Sequence, residues 1–276
     1  MARAADFAYF DQSGFAADAP IAMAHRGGAA YAPNVGLENT VGAFRRAVDM
    51  GYHYLETDVH ATSDGELVAF HDTRLDRVTD VEGAILDLPY AAVREARING
   101  TDAVPLLTEL LEEFPTTRLN IDIKADSALA PTVDTIKRHA ATARVCIGSF
   151  SERRVRSARR ALGPSLATAA GQVGTGLLRF APTVVSRLLH TPAPVLQIPS
   201  TYRVRGREIT LVTPGLVATA HRLGKQVHVW FHAGSTEDAQ EMHRLLDLGV
   251  DGIVTDHIDV LRDVLVERGH PLTPES

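Results

Sequence analysis

Residues 21–59 read IAMAHRGGAAYAPNVGLENTVGAFRRAVDMGYHYLETDV, and a strand, a helix and a second strand can be read from them in that order. The run Ile21–Ala24 is short and apolar, as a buried strand is. It stops at His25-Arg26-Gly27-Gly28, where glycine opens the positive-φ conformations of a tight turn. Asn39 or Thr40 suits the N-cap of the following helix. Val41, Phe44, Ala47 and Val48 share one helical face, and Gly51 suits the C-terminal stop. Tyr52–Val59, rich in aromatic and β-branched residues, reads as the next strand.

The alternation continues down the chain. Ser63-Asp64-Gly65-Glu66 reads as a turn before a strand Leu67–Phe70. Residues 72–105 break the rhythm: they are charged and irregular, with a short helical piece around Tyr90–Ala96. Helix Leu106–Phe114 then leads to strand Arg118–Ile123, helix Thr132–His139 to strand Arg144–Ile147, and helix Arg153–Ala161 to strand Leu166–Ala169. A helical stretch across 175–190 precedes Val195–Ile198. Helix Pro214–Leu223 precedes Val227–Phe231, and helix Glu237–Leu248 precedes Gly252–Val254. Eight strand–helix units over about 21–266 predict an α/β fold, a (β/α)₈ TIM barrel with a small insertion after strand two. The expected organisation is a single domain, 1–276. A doubly wound open sheet is the alternative, but no G-x-G-x-x-G fingerprint follows strand one, and Gly171, Gly174 and Gly176 do not form it.

Composition narrows the chemistry. The 276 residues are 45% hydrophobic and 22% charged, with a net charge of −6. No overall basic field draws this chain to nucleic acid or anionic lipid, so an anionic substrate needs local positive groups. A lone cysteine, Cys146, excludes an intramolecular disulfide and a Cys-rich metal site, and its apolar neighbours predict burial. No run approaches the ~18–20 apolar residues of a membrane span. Asp6, Asp11 and Asp18 interrupt every apolar core that a secretory leader would need. The expected location is cytoplasmic, without a stable membrane anchor; the oligomeric state stays open.

In a barrel of this kind the working residues stand at the C-terminal ends of the strands. Strand one ends in His25-Arg26. Strand two ends in Glu56-x-Asp58, followed later by His71-Asp72. Strand three carries Asp122 and Lys124 into an otherwise apolar run. Alternation puts Glu56 and Asp58 on one face, and Asp122 and Lys124 on one face. Three carboxylates from neighbouring strands make a hard all-oxygen site, better suited to Ca²⁺ or Mg²⁺ than to zinc. His25 and His71 are the proton-transfer groups near it.

Residues 24–80, AHRGGAAYAPNVGLENTVGAFRRAVDMGYHYLETDVHATSDGELVAFHDTRLDRVTD, closely resemble the glycerophosphodiester phosphodiesterase family of bacterial type, a phosphatidylinositol-phosphodiesterase-like TIM barrel. The likeness resumes at Leu119–Lys124, Val227–Trp230 and Leu248–Asp256, and is weakest between about 160 and 195. H-R-G, E-N-T, E-x-D and H-D in this order form a highly specific combination. The resemblance implies His25 and His71 as general acid and base, and Glu56, Asp58 and Asp122 as ligands of a divalent cation. It implies Arg26 and Lys124 as phosphate contacts and Trp230 as a substrate-lining residue. The implied reaction is hydrolysis of a small-molecule glycerophosphodiester to glycerol 3-phosphate and an alcohol. A lysophospholipase D-like activity and a non-catalytic barrel that binds phosphoryl ligands are the alternatives.

Three features depart from the family pattern. Asp122 stands where the family more often has Glu. Phe231-His232-Ala233 replaces the common Thr-Val-Asn, which brings a third histidine near the site. The loop Pro33–Leu37 lengthens the usual link between the proline and Glu38-Asn39, which changes one wall of the mouth. Of the other histidines, His60 is the one closest to a role, being two residues from Asp58 on the same alternation. Glu38 reads as a supporting or helix-start residue, and the basic run Arg153–Arg160 as a solvated helix face.

Overall fold

The computed structural model describes residues 2–12, 19–171, 192–204, 207–232 and 234–273. Its eight parallel strands follow the alternation read from the sequence: β1 (Ile21–His25), β2 (Tyr54–Ala61), β3 (Arg118–Ile123), β4 (Val145–Gly148), β5 (Ala167–Ala170), β6 (Val195–Pro199), β7 (Gln226–Trp230) and β8 (Gly252–Thr255). Each pairs with the next, and β1 pairs with both β2 and β8, so the sheet closes as a (β/α)₈ barrel and the open-sheet alternative falls away. The helices α1 (Val41–Asp49), α2 (Leu107–Glu113), α3 (Leu129–Arg138), α4 (Glu152–Leu162), α5 (Pro214–Arg222), α6 (Ala239–Asp247) and α7 (Ile258–Glu267) pack outside it. The helical reading of 175–190 lies outside the described residues.

Local chemistry sets the helix starts. Thr40 caps α1, its Oγ1 accepting from Ala43 N at 3.1 Å, and Ser151, Thr213 and Asp238 cap α4, α5 and α6 in the same way. Each such cap contributes about 1 kcal/mol. Strand two differs from the sequence expectation of Tyr52–Val59. Tyr52 turns away to donate its hydroxyl to Ile258 O at 2.7 Å. At its other end the strand runs on through His60 and Ala61, because Val59, His60 and Ala61 pair antiparallel with Ala69, Val68 and Leu67.

Apolar residues divide into three clusters. The largest lies between the barrel wall and the helices, from Phe44 and Leu55 to Leu261 and Leu265. A smaller one belongs to the insertion, where Leu75, Ile85, Val93, Ile98 and Val104 pack against Val68 and Phe70. The third fills the barrel interior. Ile21, Met23, Tyr54, Cys146, Ala167, Ala169, Val195 and Val254 point inward, and Ala4, Phe7, Tyr9 and Phe10 pack among them. Small inward residues on β4 and β5 leave room for these aromatics, so two turns of 3₁₀ helix at residues 4–10 plug the bottom of the barrel. Tyr54 fixes the plug by donating its hydroxyl to Tyr9 O at 2.8 Å, with the two rings edge to face at 5.3 Å.

The basic run on α4 is only partly solvated. Arg154 donates to Ser149 Oγ at 2.8 Å, and Arg159 reaches Thr168 on the adjacent strand. Both guanidinium groups tie α4 to the barrel wall.

His228 on β7 faces the interior, buried and 6.0 Å from the Phe10 ring, with Nε2 2.9 Å from Gln226 Oε1. Burial pushes its pKa down to about 3. In the unfolded chain the same ring titrates near ~6.5. The folded value is the lower one, so the contribution of His228 to stability is complete above pH ~6.5 and falls away as the pH drops from there towards 3, by at most ~1.4 kcal/mol per pH unit. In urea unfolding of wild type and His228→Gln between pH 6 and pH 4, wild type should lose stability with the steeper slope; parallel slopes would refute this. Phe10→Ala should cost about 3–5 kcal/mol by emptying the plug, measured in the same assay at pH 7.5.

Candidate active site

The site begins with the turn after β1. Arg26 has φ 50°, and Gly27 and Gly28 have φ near 88°, all in the left-handed region. A Cβ on Gly27 would lie 2.9 Å from Ala43 Cβ, and one on Gly28 2.7 Å from Ile258, so glycine is required twice. The chain thereby turns sharply enough to leave His25 and Arg26 facing the barrel mouth. Asn34 supports the turn from outside, donating to Gly27 O at 2.8 Å, and Asn39 N donates to Arg26 O at 2.8 Å.

Strand register supplies the next layer. His25 stands level with Glu56, and Asp58 level with Asp122. His25, Arg26, Glu56, Asp58, His71, Asp122, Lys124 and Trp230 all line one cavity of about 880 Å³ at the C-terminal ends of the strands. Every site residue expected from the sequence is brought to this cavity. His232 also lines it, with Nε2 3.3 Å from Thr201 Oγ1. His60 is held back: it is buried, and its Nε2 lies 3.1 Å from the backbone oxygen of His71.

Charge pairing dominates the polar side. Lys124 Nζ lies 2.6 Å from Asp58 Oδ1 and 2.7 Å from Asp122 Oδ2. Arg26 Nε is 3.2 Å from Asp58 Oδ2 as an ion pair, and Asn39 Nδ2 donates to the same oxygen at 3.5 Å. Burial alone would raise the Asp58 carboxyl, but Lys124 and Arg26 hold it below the usual carboxylate range. Glu56 has less compensation: burial and the neighbouring Asp58 charge push it up to about 7. For His25, burial opposes the charged form, yet Glu56 and Asp256 outweigh it and raise the pKa to about 9.

Each histidine has a carboxylate of its own. His25 Nδ1 lies 2.9 Å from Asp256 Oδ1, and its Nε2 is 3.7 Å from Glu56. His71 Nδ1 lies 2.6 Å from Asp72 Oδ1. Ionised carboxylates only accept, so both rings donate from Nδ1 and keep Nε2 for other work. Asp256 received no role in the sequence reading. Its position directly after β8 was the available signal, since strand ends carry the site in this fold. The sequence pattern places Glu237 at the start of a helix, whereas α6 begins at Ala239 and leaves Glu237 in the loop before it. It accepts from Thr255 Oγ1 at 2.5 Å and Asp256 N at 2.8 Å, and so fixes the end of β8. Glu38, expected to support the site or start a helix, supports it: it pairs with Arg26 at 3.4 Å.

Glu56, Asp58 and Asp122 are the candidate cation donors. Among the described residues no three His, Cys or carboxylate side chains form a ready cage, because Lys124 Nζ lies between Asp58 and Asp122. Asp122 Oδ1, however, is buried without a hydrogen-bond partner, and Glu56 carries an upward-shifted carboxyl. Both are oxygens that a hard cation would satisfy, so the donor set fits Ca²⁺ or Mg²⁺ chemically.

Apolar side chains also line the cavity: Pro199 and Leu211, with Tyr202 at the rim, 53% exposed, and Phe150, 59% exposed, whose ring lies 5.9 Å from Lys124 Nζ. Among the described residues no helix is long and apolar enough to cross a membrane.

Comparison with known proteins places this geometry. The chain is 42% identical over 253 residues to a Mycobacterium tuberculosis protein named "probable glycerophosphodiester phosphodiesterase 2", covering 90% of this chain and 92% of that one. It is 30% identical to a Homo sapiens lysophospholipase D, over 88% of this chain and 85% of that one. An Oleispira antarctica phosphodiesterase solved with the product sn-glycerol-3-phosphate shares the fold, with TM-score 0.72 and 24% identity over 90% of this chain and 97% of that one. A glycerophosphodiester phosphodiesterase from Parabacteroides distasonis does so with TM-score 0.73 and 21% identity over 91% and 99%. The sequence profile of the Glycerophosphoryl diester phosphodiesterase family matches residues 25–260. A closed parallel barrel, an acidic and histidine-bearing mouth and a match over most of the length converge on one assignment: the chain belongs to the glycerophosphoryl diester phosphodiesterase family, a group of phosphoric diester hydrolases.

Proposed function

We propose that this enzyme hydrolyses glycerophosphodiesters to glycerol 3-phosphate and an alcohol, using His25 and His71 as the proton-transfer pair beside a divalent cation held by Glu56, Asp58 and Asp122. The observation that carries this reading is that two histidines, each with Nδ1 bound to its own aspartate, face one cavity lined by three carboxylates and two cationic side chains. A barrel that only binds phosphoryl ligands has no need of two oriented proton-transfer groups. The Oleispira relative, solved with glycerol 3-phosphate, supports the product.

The chain's own residues carry the following parts. Arg26 and Lys124 offer positive charge to the phosphoryl oxygens and orient the diester. One histidine takes the proton from the attacking hydroxyl of the glycerol moiety, and the other gives a proton to the departing alcohol oxygen. The two exchange roles when water opens the resulting cyclic phosphate, which regenerates both starting states. Asp256 and Asp72 hold each ring in the Nδ1–H tautomer, so that Nε2 handles the proton. Bound at the three carboxylates, Ca²⁺ or Mg²⁺ would stabilise charge developing on the phosphoryl oxygens. Each positioned proton transfer supplies ~10²–10⁴-fold.

The apolar lining favours a second reading, a lysophospholipase D-like reaction on a glycerophosphodiester that keeps one acyl chain. Pro199, Leu211, Phe150 and Tyr202 offer apolar surface beyond the charged site, and the human relative is named for that activity.

Glycerol 3-phosphate release from glycerophosphocholine and glycerophosphoethanolamine, beside choline release from detergent-dispersed lysophosphatidylcholine, tests both readings. With EDTA all turnover should vanish, and either Mg²⁺ or Ca²⁺ should restore it; turnover that survives exhaustive chelation removes the cation. His25→Ala and His71→Ala should each lower kcat by ~10²–10⁴-fold with cation affinity by calorimetry unchanged, whereas Glu56→Ala should lose both. Near-wild-type turnover in either histidine variant removes the two-histidine mechanism. Asp256→Asn should lower kcat without a matching rise in KM, since it disturbs the tautomer rather than binding.

A further inference from the structure

The insertion between β2 and β3 sends one side chain back to the site. Arg77 uses all three guanidinium nitrogens: Nε donates to Asp72 Oδ2 at 2.6 Å, Nη1 to Glu38 Oε2 at 3.0 Å and Nη2 to Glu38 Oε1 at 2.6 Å. The two carboxylates it joins serve different halves of the mouth. Asp72 holds His71 through Oδ1 at 2.6 Å. Glu38 lies 3.4 Å from Arg26, which in turn faces Asp58. An unbroken chain of paired charges therefore runs His71–Asp72–Arg77–Glu38–Arg26–Asp58. Arg77, Asp72 and Glu38 do not line the cavity themselves.

The backbone that presents Arg77 is fixed. Leu75 is fully buried in the insertion's own cluster. Its N–H donates to Gly83 O at 3.0 Å, Thr79 N donates to Leu75 O at 3.1 Å, and Asn99 N donates to Val78 O at 2.9 Å. Neighbouring Arg74 shows what an ordinary surface arginine does here: it pairs with Asp76, two residues away in its own loop. Arg77 instead reaches 39 residues back to Glu38. A half-exposed single ion pair contributes little to stability. A planar fork shared between two carboxylates fixes geometry, which a lysine cannot reproduce.

We infer that Arg77 is a positioning residue for the reaction, locking the His71 ring through Asp72 and the Arg26 guanidinium through Glu38, and that delivering it is the task of the insertion. The inference rests on the roles proposed above for His71 and Arg26. Arg77 touches no reacting atom; it sets the orientation of two groups that do.

The test reads His71 directly and needs no substrate. In ¹⁵N-histidine NMR of the full chain, with the His71 signals assigned by their loss in His71→Gln, wild type should show a single tautomer protonated at Nδ1. Arg77→Ala should show His71 exchanging between tautomers, and Arg77→Lys should resemble Arg77→Ala. Adding guanidinium chloride at tens of millimolar to Arg77→Ala should restore the wild-type pattern, whereas sodium chloride at equal ionic strength should not. In turnover, Arg77→Ala should lower kcat roughly 10–100-fold. The double variant with Asp72→Asn should be little worse than Asp72→Asn alone. His71 signals unchanged in Arg77→Ala would overturn the inference, as would full activity in Arg77→Lys or losses that multiply independently in the double variant. A wild-type chain that shows the fixed tautomer but hydrolyses neither diester nor lysolipid would count against the proposed function and leave the positioning role intact.

Discussion

Asp58 governs this structure more than any other residue. It is almost wholly buried at the end of a barrel strand, where an unpaired carboxylate would be prohibitive. Lys124, Arg26 and Asn39 meet it from three different segments. Those contacts fix the loop after β1, the end of β3 and the start of α1 in one arrangement, and the remaining charges fall in around them. Glu56, two residues earlier on the same strand, and Asp122, level with Asp58 on the next strand, are left incompletely paired. Negative charge left unbalanced at a cavity wall is what a bound cation would satisfy.

The barrel explains why these charges can coexist. Closure through the β1–β2 and β1–β8 pairings leaves no register freedom, so His25 is held beside Glu56 and Asp58 beside Asp122 by backbone hydrogen bonds rather than by the ions themselves. The charged residues of the mouth come from β1, β2, β3 and the turn after β8, and Pro199, Leu211 and Trp230 come from β6, β7 and the segment between them.

Much of this was legible beforehand. Period-two and period-3.6 patterns gave eight strands to within a few residues, and strand alternation correctly placed Glu56 with Asp58 and Asp122 with Lys124 on the cavity side. What escaped depends on three-dimensional closure. Asp256 lies 231 residues from His25, and no local pattern connects them until β8 meets β1. His60 shares the alternation of Asp58 and was the histidine nearest to suspicion, yet the antiparallel hairpin with Leu67–Ala69 covers it. Glu38 reads from the sequence as a supporting or helix-start residue, but its second partner, Arg77, lies inside a stretch whose irregularity hides its purpose. The aromatics Phe7, Tyr9 and Phe10 precede the first strand and carry no periodicity, so their burial follows only from the small residues on β4 and β5.

That plug has a consequence for how the molecule is made. Residues 4–10 leave the ribosome before any of the strands that enclose them, and Ala4 N finds its partner, Gly224 O, only after 220 further residues have been added. During synthesis Phe7, Tyr9 and Phe10 are therefore sticky surface without a socket, exposed until β7 and β8 close the ring. Contacts of such sequence separation slow the final assembly and lengthen the interval in which aggregation competes with it. Residues 4–10 are thus made before the strands that enclose them and are among the last to reach their places.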